Sequence, residues 1–261
     1  MSEQQTSGGA ARDYRHVPPG EKGPLVRGIF DKVAPRYDLM NDLMSGGIHR
    51  LWKAAMVAWI RPRPGQRLID VAGGTGDIAL RAWPRLAPRG VDDAGGLGGG
   101  AVVCDPNARM LEIGRARALD RGIIEGIEWL GAEAERLPFA ERRFDLYTIA
   151  FGLRNVTHIG KALAEARRVL RPGGRFMCLE FTPQVAPLLQ PFYDLYSFQV
   201  VPLLGRIVAG DREAYTYLVE SIRGFPRQGE LTDLIVAAGF GQVRYRNLTG
   251  GIAALHSAWR L

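Results

Sequence analysis

The chain is poor in cysteine and histidine, with two of the first and four of the second among 261 residues. None of them stands at ligand spacing, so neither a disulfide framework nor a metal centre is expected. Cys104 and Cys178 each sit inside an apolar run that reads as a buried strand, where cysteine behaves as a small hydrophobe. No apolar run approaches the ~18 residues that a membrane-crossing helix needs. The stretch Met1 to Gly20 is polar, carries Glu3 and Asp13 and has no apolar segment, which is unlike a secretory signal or a transit peptide. These absences point to a reducing, cytoplasmic location. Basic residues exceed acidic ones by 34 to 27, a net charge of +7, yet no Lys/Arg cluster is dense enough to indicate nucleic acid. Solubility accounts for such a balance, and so does attraction to an anionic phospholipid surface. There is no internal repeat.

What is present is a hydrophobic fraction of 46%, enough for the core of one α/β domain. Residues 1–24 lack periodicity and read as a mobile tail. From there to 261 the chain reads as a single domain. Val26, Ile29, Phe30 and Val33 fall on one helical face, and Leu51, Trp52, Ala55, Met56, Trp59 and Ile60 form a second stripe. Short apolar strands then alternate with helices: Arg67 to Ala72, Ala101 to Cys104, Glu128 to Gly131, Phe144 to Phe151 and Arg175 to Phe181. Asn107 to Arg121 and Ile159 to Leu170 are two of the intervening helices. Such alternation gives a parallel sheet with helices on both faces. Residues 183–238 read as a mostly helical, aromatic insertion. Gln242 to Asn247 and Ile252 to Trp259 read as an antiparallel pair closed by Leu248-Thr249-Gly250-Gly251. Gly90 to Gly100 reads as a surface loop insertion.

The first strand runs into Asp70-Val71-Ala72-Gly73-Gly74-Thr75-Gly76-Asp77. Glycines here let the backbone approach a ligand, and the helix that follows offers free N–H groups. Gly74 and Gly76 are therefore candidate cofactor residues. Asp105, at the end of the second strand, is placed to accept both hydroxyls of an adenosine ribose. The run from Gly74 to Ala79 also fits the dinucleotide pattern G-x-G-x-x-A, which alone is weak. S-adenosylmethionine (AdoMet) is the better reading. An acidic residue, Asp70, precedes the glycines and holds the loop, and the chain has no second catalytic domain of the kind a dehydrogenase needs. A parallel sheet ending in an antiparallel hairpin is also the pattern of AdoMet methyltransferases. The expected architecture is thus α/β, a Rossmann-like class I methyltransferase domain with a mostly parallel seven-stranded sheet. Residues 25–62 would form a helical lid.

Three stretches resemble the ubiquinone/menaquinone biosynthesis C-methyltransferase family. They are Tyr37-Asp38-Leu39-Met40-Asn41-Asp42-Leu43-Met44-Ser45 with His49 and Trp52, then Phe151-Gly152-Leu153-Arg154-Asn155-Val156-Thr157, then Arg168 to Gly174 running on to Glu180-Phe181. Further similarity lies in 193–198, 217–223 and 247–249, so the resemblance spans roughly 25–261. The first stretch is specific to this family and the third is common among methyltransferases. By motif match, the family's cofactor contacts fall on Thr75, Asp105, Glu133 and Ala134. Glu133 stands where relatives more often have Asp or Asn, Ala150 where some have Ser, and Thr182 where Ser is usual.

The resemblance implies AdoMet-dependent C-methylation of a polyprenyl benzoquinol ring, with demethylmenaquinol as a further acceptor, and no metal. The alternatives are another small-molecule methyltransferase, which the Tyr37–Trp52 stretch opposes, and a non-catalytic scaffold, which the intact glycine loop and Asp105 oppose. The ring must act as a carbon nucleophile, so loss of a phenolic proton and alignment with the sulfonium matter most. Arg154, just past the fourth strand, stays protonated and would stabilise a phenolate or orient a water, unless it serves a structural ion pair. Asn155 would orient the ring. His49 and Tyr37 are alternative proton acceptors, and His49 reads equally as a packing or capping residue. The Pro187–Leu204 segment suits a polyprenyl tail, and reads equally as ordinary helix packing. The implied partners are that quinol, a membrane surface met peripherally at the inner face of the cytoplasmic membrane, and other quinone-biosynthesis proteins or a second copy of the chain.

Overall fold

The computed structural model describes residues 19–34, 41–42, 45–87, 99–185 and 212–261. The strands are β1 (Arg67–Val71), β2 (Gly100–Cys104), β3 (Ile127–Leu130), β4 (Phe144–Ala150), β5 (Leu170–Phe181), β6 (Gly241–Leu248) and β7 (Ala253–Trp259). They form one sheet in the order β3-β2-β1-β4-β5-β7-β6. Six strands run one way, and β7 is antiparallel to both β5 and β6. This is the expected seven-stranded architecture with its terminal hairpin.

Alternation along the strands sorts side chains to two covered faces. Leu68, Val103, Leu146, Met177 and Leu179 pack in one core with Trp52, Met56 and Ile60 of α2 (His49–Ile60) and Ala79 and Ala82 of α3 (Asp77–Leu86). Ile69, Val102, Tyr147, Ile149 and Cys178 pack in the other, against Leu163 and Ala166 of α5 (Ile159–Val169) and Leu231 and Ile235 of α7 (Gln228–Ala237). Parallel strands buried on both faces are continuous apolar runs, which is why these strands stood out in the sequence. Both cysteines are free and buried.

The remaining helices are α1 (Pro19–Val33), α4 (Ala108–Asp120) and α6 (Arg212–Arg223). α4 starts where expected because the Asn107 side chain accepts the Met110 N–H at 3.0 Å, an N-cap. α1 begins at Pro19, inside the stretch read as tail, since a proline in the first turn loses no hydrogen bond. β5 extends back to Leu170, through the Pro172-Gly173-Gly174 turn, with a register irregularity between Phe144 and Leu146 of its neighbour. Most of the Gly90–Gly100 loop, the whole Pro187–Leu204 segment, Met40, Met44 and Tyr37 lie outside the described residues.

Candidate active site

The chain leaves β1 for β2 on one side and later places β4 on the other. Between their C-terminal ends lies the crevice in which open α/β sheets bind ligands. A cavity of about 300 Å³ occupies it, lined by Ala72, Gly74, Asp105, Ala134, Phe151 and Asn155 among others. Ala72 and Phe151, at the tips of β1 and β4, have φ of 49° and 57°, left-handed values that non-glycine residues adopt at a cost. They meet through Gly152, where a Cβ would stand 2.4 Å from that of Ala72. Two strained strand ends are thus packed edge to edge at the cavity floor.

The loop after β1 is held from two sides. Asp70 is wholly buried, and its carboxylate accepts the Thr148 hydroxyl at 2.8 Å and the Ala79 N–H at 3.3 Å. Burial pushes its carboxyl up to about 7, against the pull of those donors. Asp105 accepts the Gly74 N–H on one oxygen and the Asn107 N–H on the other, both at 2.9 Å. Burial pushes it up to about 6, again against its two donors. Asp105 lines the cavity and Asp70 does not, so Asp70 braces the loop while Asp105 faces the cavity.

The other expected cofactor residues separate. Gly74, Glu133 and Ala134 line the cavity. A Cβ on Gly74 would stand 3.0 Å from Met110 Cε and 4.0 Å from Asp105 Oδ2, narrowing the approach to the carboxylate. Gly76 and Thr75 are not lining residues. A Cβ on Gly76 would stand 2.5 Å from the Trp129 ring, so packing, together with a φ of 72°, requires glycine there. The Thr75 hydroxyl accepts from Arg117 Nη1 at 2.9 Å. Glu135 also lines the cavity, and its carboxylate accepts the His158 N–H at 2.6 Å. Three carboxylates, Asp105, Glu133 and Glu135, therefore face a space that suits a ribose and a cationic sulfonium. The first turns of α1 cover it with Gly20, Gly23, Pro24 and Val26. The residues that cover the cavity belong to α1, which begins before the 25–62 range expected for a lid, and no residue of α2 lines it. Asn107 Nδ2 ties α1 down through Asp31 Oδ1 at 2.7 Å.

The candidate ring residues separate too. Asn155 lines the cavity and accepts the Tyr217 hydroxyl of α6 on Oδ1 at 2.9 Å. Arg154 stands behind it on the one-turn helix Leu153–Asn155, buried, with Nη1 2.6 Å from Phe151 O and 2.5 Å from Glu180 Oε1. Burial raises the Glu180 carboxyl, opposed by Arg154 and by the Phe181 N–H. Burial also pushes the Tyr217 phenol up to about 12, so it stays a donor. The buried ion pair anticipated as the other reading of Arg154 is thus present. His49 is not at the cavity. It is buried on α2 against Asp42, with Nε2 2.8 Å from Oδ1, and lines a separate hollow with Asp77 and Arg117. Burial lowers its pKa. The structure therefore does not bring His49 together with Asn155, and Tyr37 lies outside the described residues.

Comparison with known proteins settles the lineage. Residues 19–260 match the model of the ubiE/COQ5 methyltransferase family. The chain belongs to that family. It is 54% identical over 257 residues to the ubiquinone/menaquinone biosynthesis C-methyltransferase UbiE of Cereibacter sphaeroides, covering 98% of this chain and 99% of that one. It is 53% identical over 250 residues to the protein of the same name from Brucella abortus, covering 95% and 90% of the two chains. Among solved structures, a SAM-dependent methyltransferase of Thermotoga maritima superposes with a TM-score of 0.62 at 18% identity over 90% of this chain and 99% of that one. That likeness speaks to the fold. The family and the identity to its members make the chain a C-methyltransferase.

Glu180 and Tyr217 were visible in the sequence only as part of a motif and as one of several aromatics. Asn107 entered the sequence reading only as the start of a helix, which says nothing of a place beside a ligand.

Proposed function

We propose that this chain transfers the methyl group of AdoMet to a ring carbon of a polyprenyl benzoquinol in ubiquinone biosynthesis, with demethylmenaquinol as a second acceptor. The observation that carries the reading is the cavity itself. One half is walled by Gly74, Asp105, Glu133 and Ala134, and the other by Phe151, Gly152 and Asn155. AdoMet, when bound, supplies an electrophilic methyl on a good leaving group.

The chain's own part is to align, to exclude water and to stabilise charge. Asp105, fixed by two N–H donors, would accept the ribose hydroxyls. Ala134 would wall the adenine, with Glu133 beside it. Asn155 would meet the ring, and Arg154 behind it would favour the phenolate form of the quinol. Asn155 would contact the ring directly, whereas Arg154 would act on it as a charge or through a water. Among the described residues no group of three His, Cys, Asp or Glu is arranged to hold a metal, and the proposed chemistry requires none. A polyprenyl acceptor resides in a bilayer, and among the described residues no helix is long and apolar enough to cross one. Peripheral docking at a membrane surface follows from that pairing.

The test is incubation of the purified chain with methyl-labelled AdoMet and demethylated polyprenyl benzoquinol or demethylmenaquinol, with mass spectrometry of the product ring. Label on a ring carbon is expected. Label on oxygen, or none despite AdoMet binding, would refute the assignment of acceptor. Quinones accumulating in cells that lack the protein should carry the unmethylated ring.

A further inference from the structure

On the face of the sheet that carries α2, and on the flank formed by β7 and β6, Arg175, Arg244 and Arg246 line a groove with Trp59, Tyr245 and Trp259. Its volume is about 320 Å³, and Gln242 and Ser257 complete it, with no acidic lining residue. The register explains the convergence. Arg175 is opposite Trp259, and Arg244 and Arg246 are opposite Ser257 and Leu255, so these side chains share one face. The irregularity between Gly241 and Arg244 sets the two arginines onto that face.

The guanidinium groups have distinct duties. Arg175 is structural: it donates to Trp59 O at 2.5 Å and to Ser257 Oγ at 3.0 Å, and it lies 5.5 and 5.1 Å from the Trp59 and Trp259 rings. Arg246 stacks over Trp59 at 4.2 Å, which occupies its flat face and leaves its N–H edge available. Arg244 and Arg246 are exposed, as is Arg61 at the end of α2. None of Arg61, Arg175, Arg244 and Arg246 has a carboxylate partner among the described residues. Burial first, and then Arg246 and Arg61, lower the Arg175 pKa, the mark of like charges held close. An uncompensated cluster of this kind is relieved by an anion with several acceptor oxygens, and the forked guanidinium suits phosphate.

We propose that this groove binds phosphate headgroups of an anionic bilayer. A small soluble phosphate would satisfy the arginines but leave the aromatic rim unused. Trp59 and Trp259, both half-buried, flank the arginines, while the Tyr245 ring turns to the other face of β6, 5.3 Å from the His256 ring. Rings with an apolar body and a polar tip, set among arginines, favour the headgroup level of a membrane. β6 is the edge strand, so nothing in the sheet stands between the groove and a flat surface. Docking by this flank leaves the cavity at the strand ends uncovered. The inference extends the membrane contact of the proposed function but concerns a site separate from the cofactor cavity.

The test is co-sedimentation of the full chain with phosphatidylcholine vesicles, with and without phosphatidylglycerol, at low and high salt. Arg244→Gln with Arg246→Gln is compared with Arg85→Gln plus Arg115→Gln, exposed residues elsewhere whose loss changes net charge equally. The groove pair should weaken binding to anionic vesicles roughly tenfold or more, given the usual contribution of an arginine at a charged surface. The control pair should cost less than about twofold, because Arg85 and Arg115 sit on α3 and α4, which pack on β1 to β3 at the other side of the sheet from the β6–β7 flank, and salt screens charges over distance. Calorimetric AdoMet affinity should be unchanged in both, so a wrong acceptor assignment would not imitate this result. Equal losses in the two pairs would overturn the proposal, as would equal binding to neutral and anionic vesicles. Loss of inorganic pyrophosphate binding with vesicle binding intact would also overturn it, in favour of a soluble phosphate. Should the paired substitution unfold the chain, the exposed Arg244→Gln alone carries the same comparison.

Discussion

Arg154 Nη1 stands 2.5 Å from Glu180 Oε1, and the two side chains are 6% and 1% exposed. Glu180 also accepts the N–H groups of Arg154 and Phe181, at 3.3 and 3.0 Å. The pair therefore fixes the one-turn helix that presents Asn155 to the cavity. Removing one partner strands a buried charge, so Arg154→Ala should destabilise the fold by about 3–5 kcal/mol as well as lower turnover. Arg154→Met with Glu180→Met should recover most of that stability and none of the turnover. Thermal melts beside single-turnover rates separate the two. Recovery of both would reduce Arg154 to a structural part.

Tyr217 reaches the same helix from α6. Its hydroxyl donates to Asn155 Oδ1, which leaves the amide N–H₂ as the end able to meet an acceptor oxygen. Tyr217→Phe removes that one bond, worth ~1 kcal/mol, and should slow turnover several-fold with AdoMet affinity unchanged. Steady-state rates and calorimetry check this. An unchanged rate would mean that Asn155 holds its orientation without Tyr217.

Gly76 and Gly74, two residues apart, should respond differently. Alanine at Gly76 meets the Trp129 ring and a φ of 72°, so Gly76→Ala should lower stability by about 1–3 kcal/mol, with partial recovery in Trp129→Leu. Alanine at Gly74, where φ is 55°, presses on Met110 beside Asp105 and should lower AdoMet affinity as well as stability. Denaturant melts and calorimetry for the two variants distinguish packing from ligand approach.

The fold was legible because its signals are local. Strands buried on both faces are apolar runs such as Ala101 to Cys104, and the closing hairpin announces itself at Thr249-Gly250-Gly251. The position of Asp105 at the cavity was legible because it ends the second strand, beside the crevice of such sheets. The partners of the site were not, because Glu180 lies 26 residues and Tyr217 62 residues beyond the groups they hold. The packing demand at Gly76 was hidden for a related reason: a glycine required by a distant tryptophan looks in sequence like a glycine required by a ligand. His49 was drawn into the site by its motif, and only its packing against Asp42 places it elsewhere.

If Asp105 holds the ribose as proposed, cofactor binding should be sensitive to pH. Burial raises its carboxyl to about 6, and only the ionised form can accept two ribose hydroxyls while keeping the Gly74 and Asn107 donors. AdoMet affinity should be level above about pH 7 and fall by up to about tenfold per unit below about pH 6, where a proton must leave before the ligand is held. Stability of the cofactor-free fold should move the other way. Between the unfolded value of 3.8 and about 6 the folded chain binds more protons at Asp105 than the unfolded chain does, so this contribution to stability falls as pH rises through that window and is level above it. Asp70, raised to about 7, acts in the same sense on stability over a window reaching higher. Calorimetric titrations across that range, with Asp105→Asn as control, test the assignment. The variant should bind more weakly, with affinity no longer following that titration. A wild-type dissociation constant that does not change between about pH 5 and about pH 8 would remove Asp105 from the ribose contact.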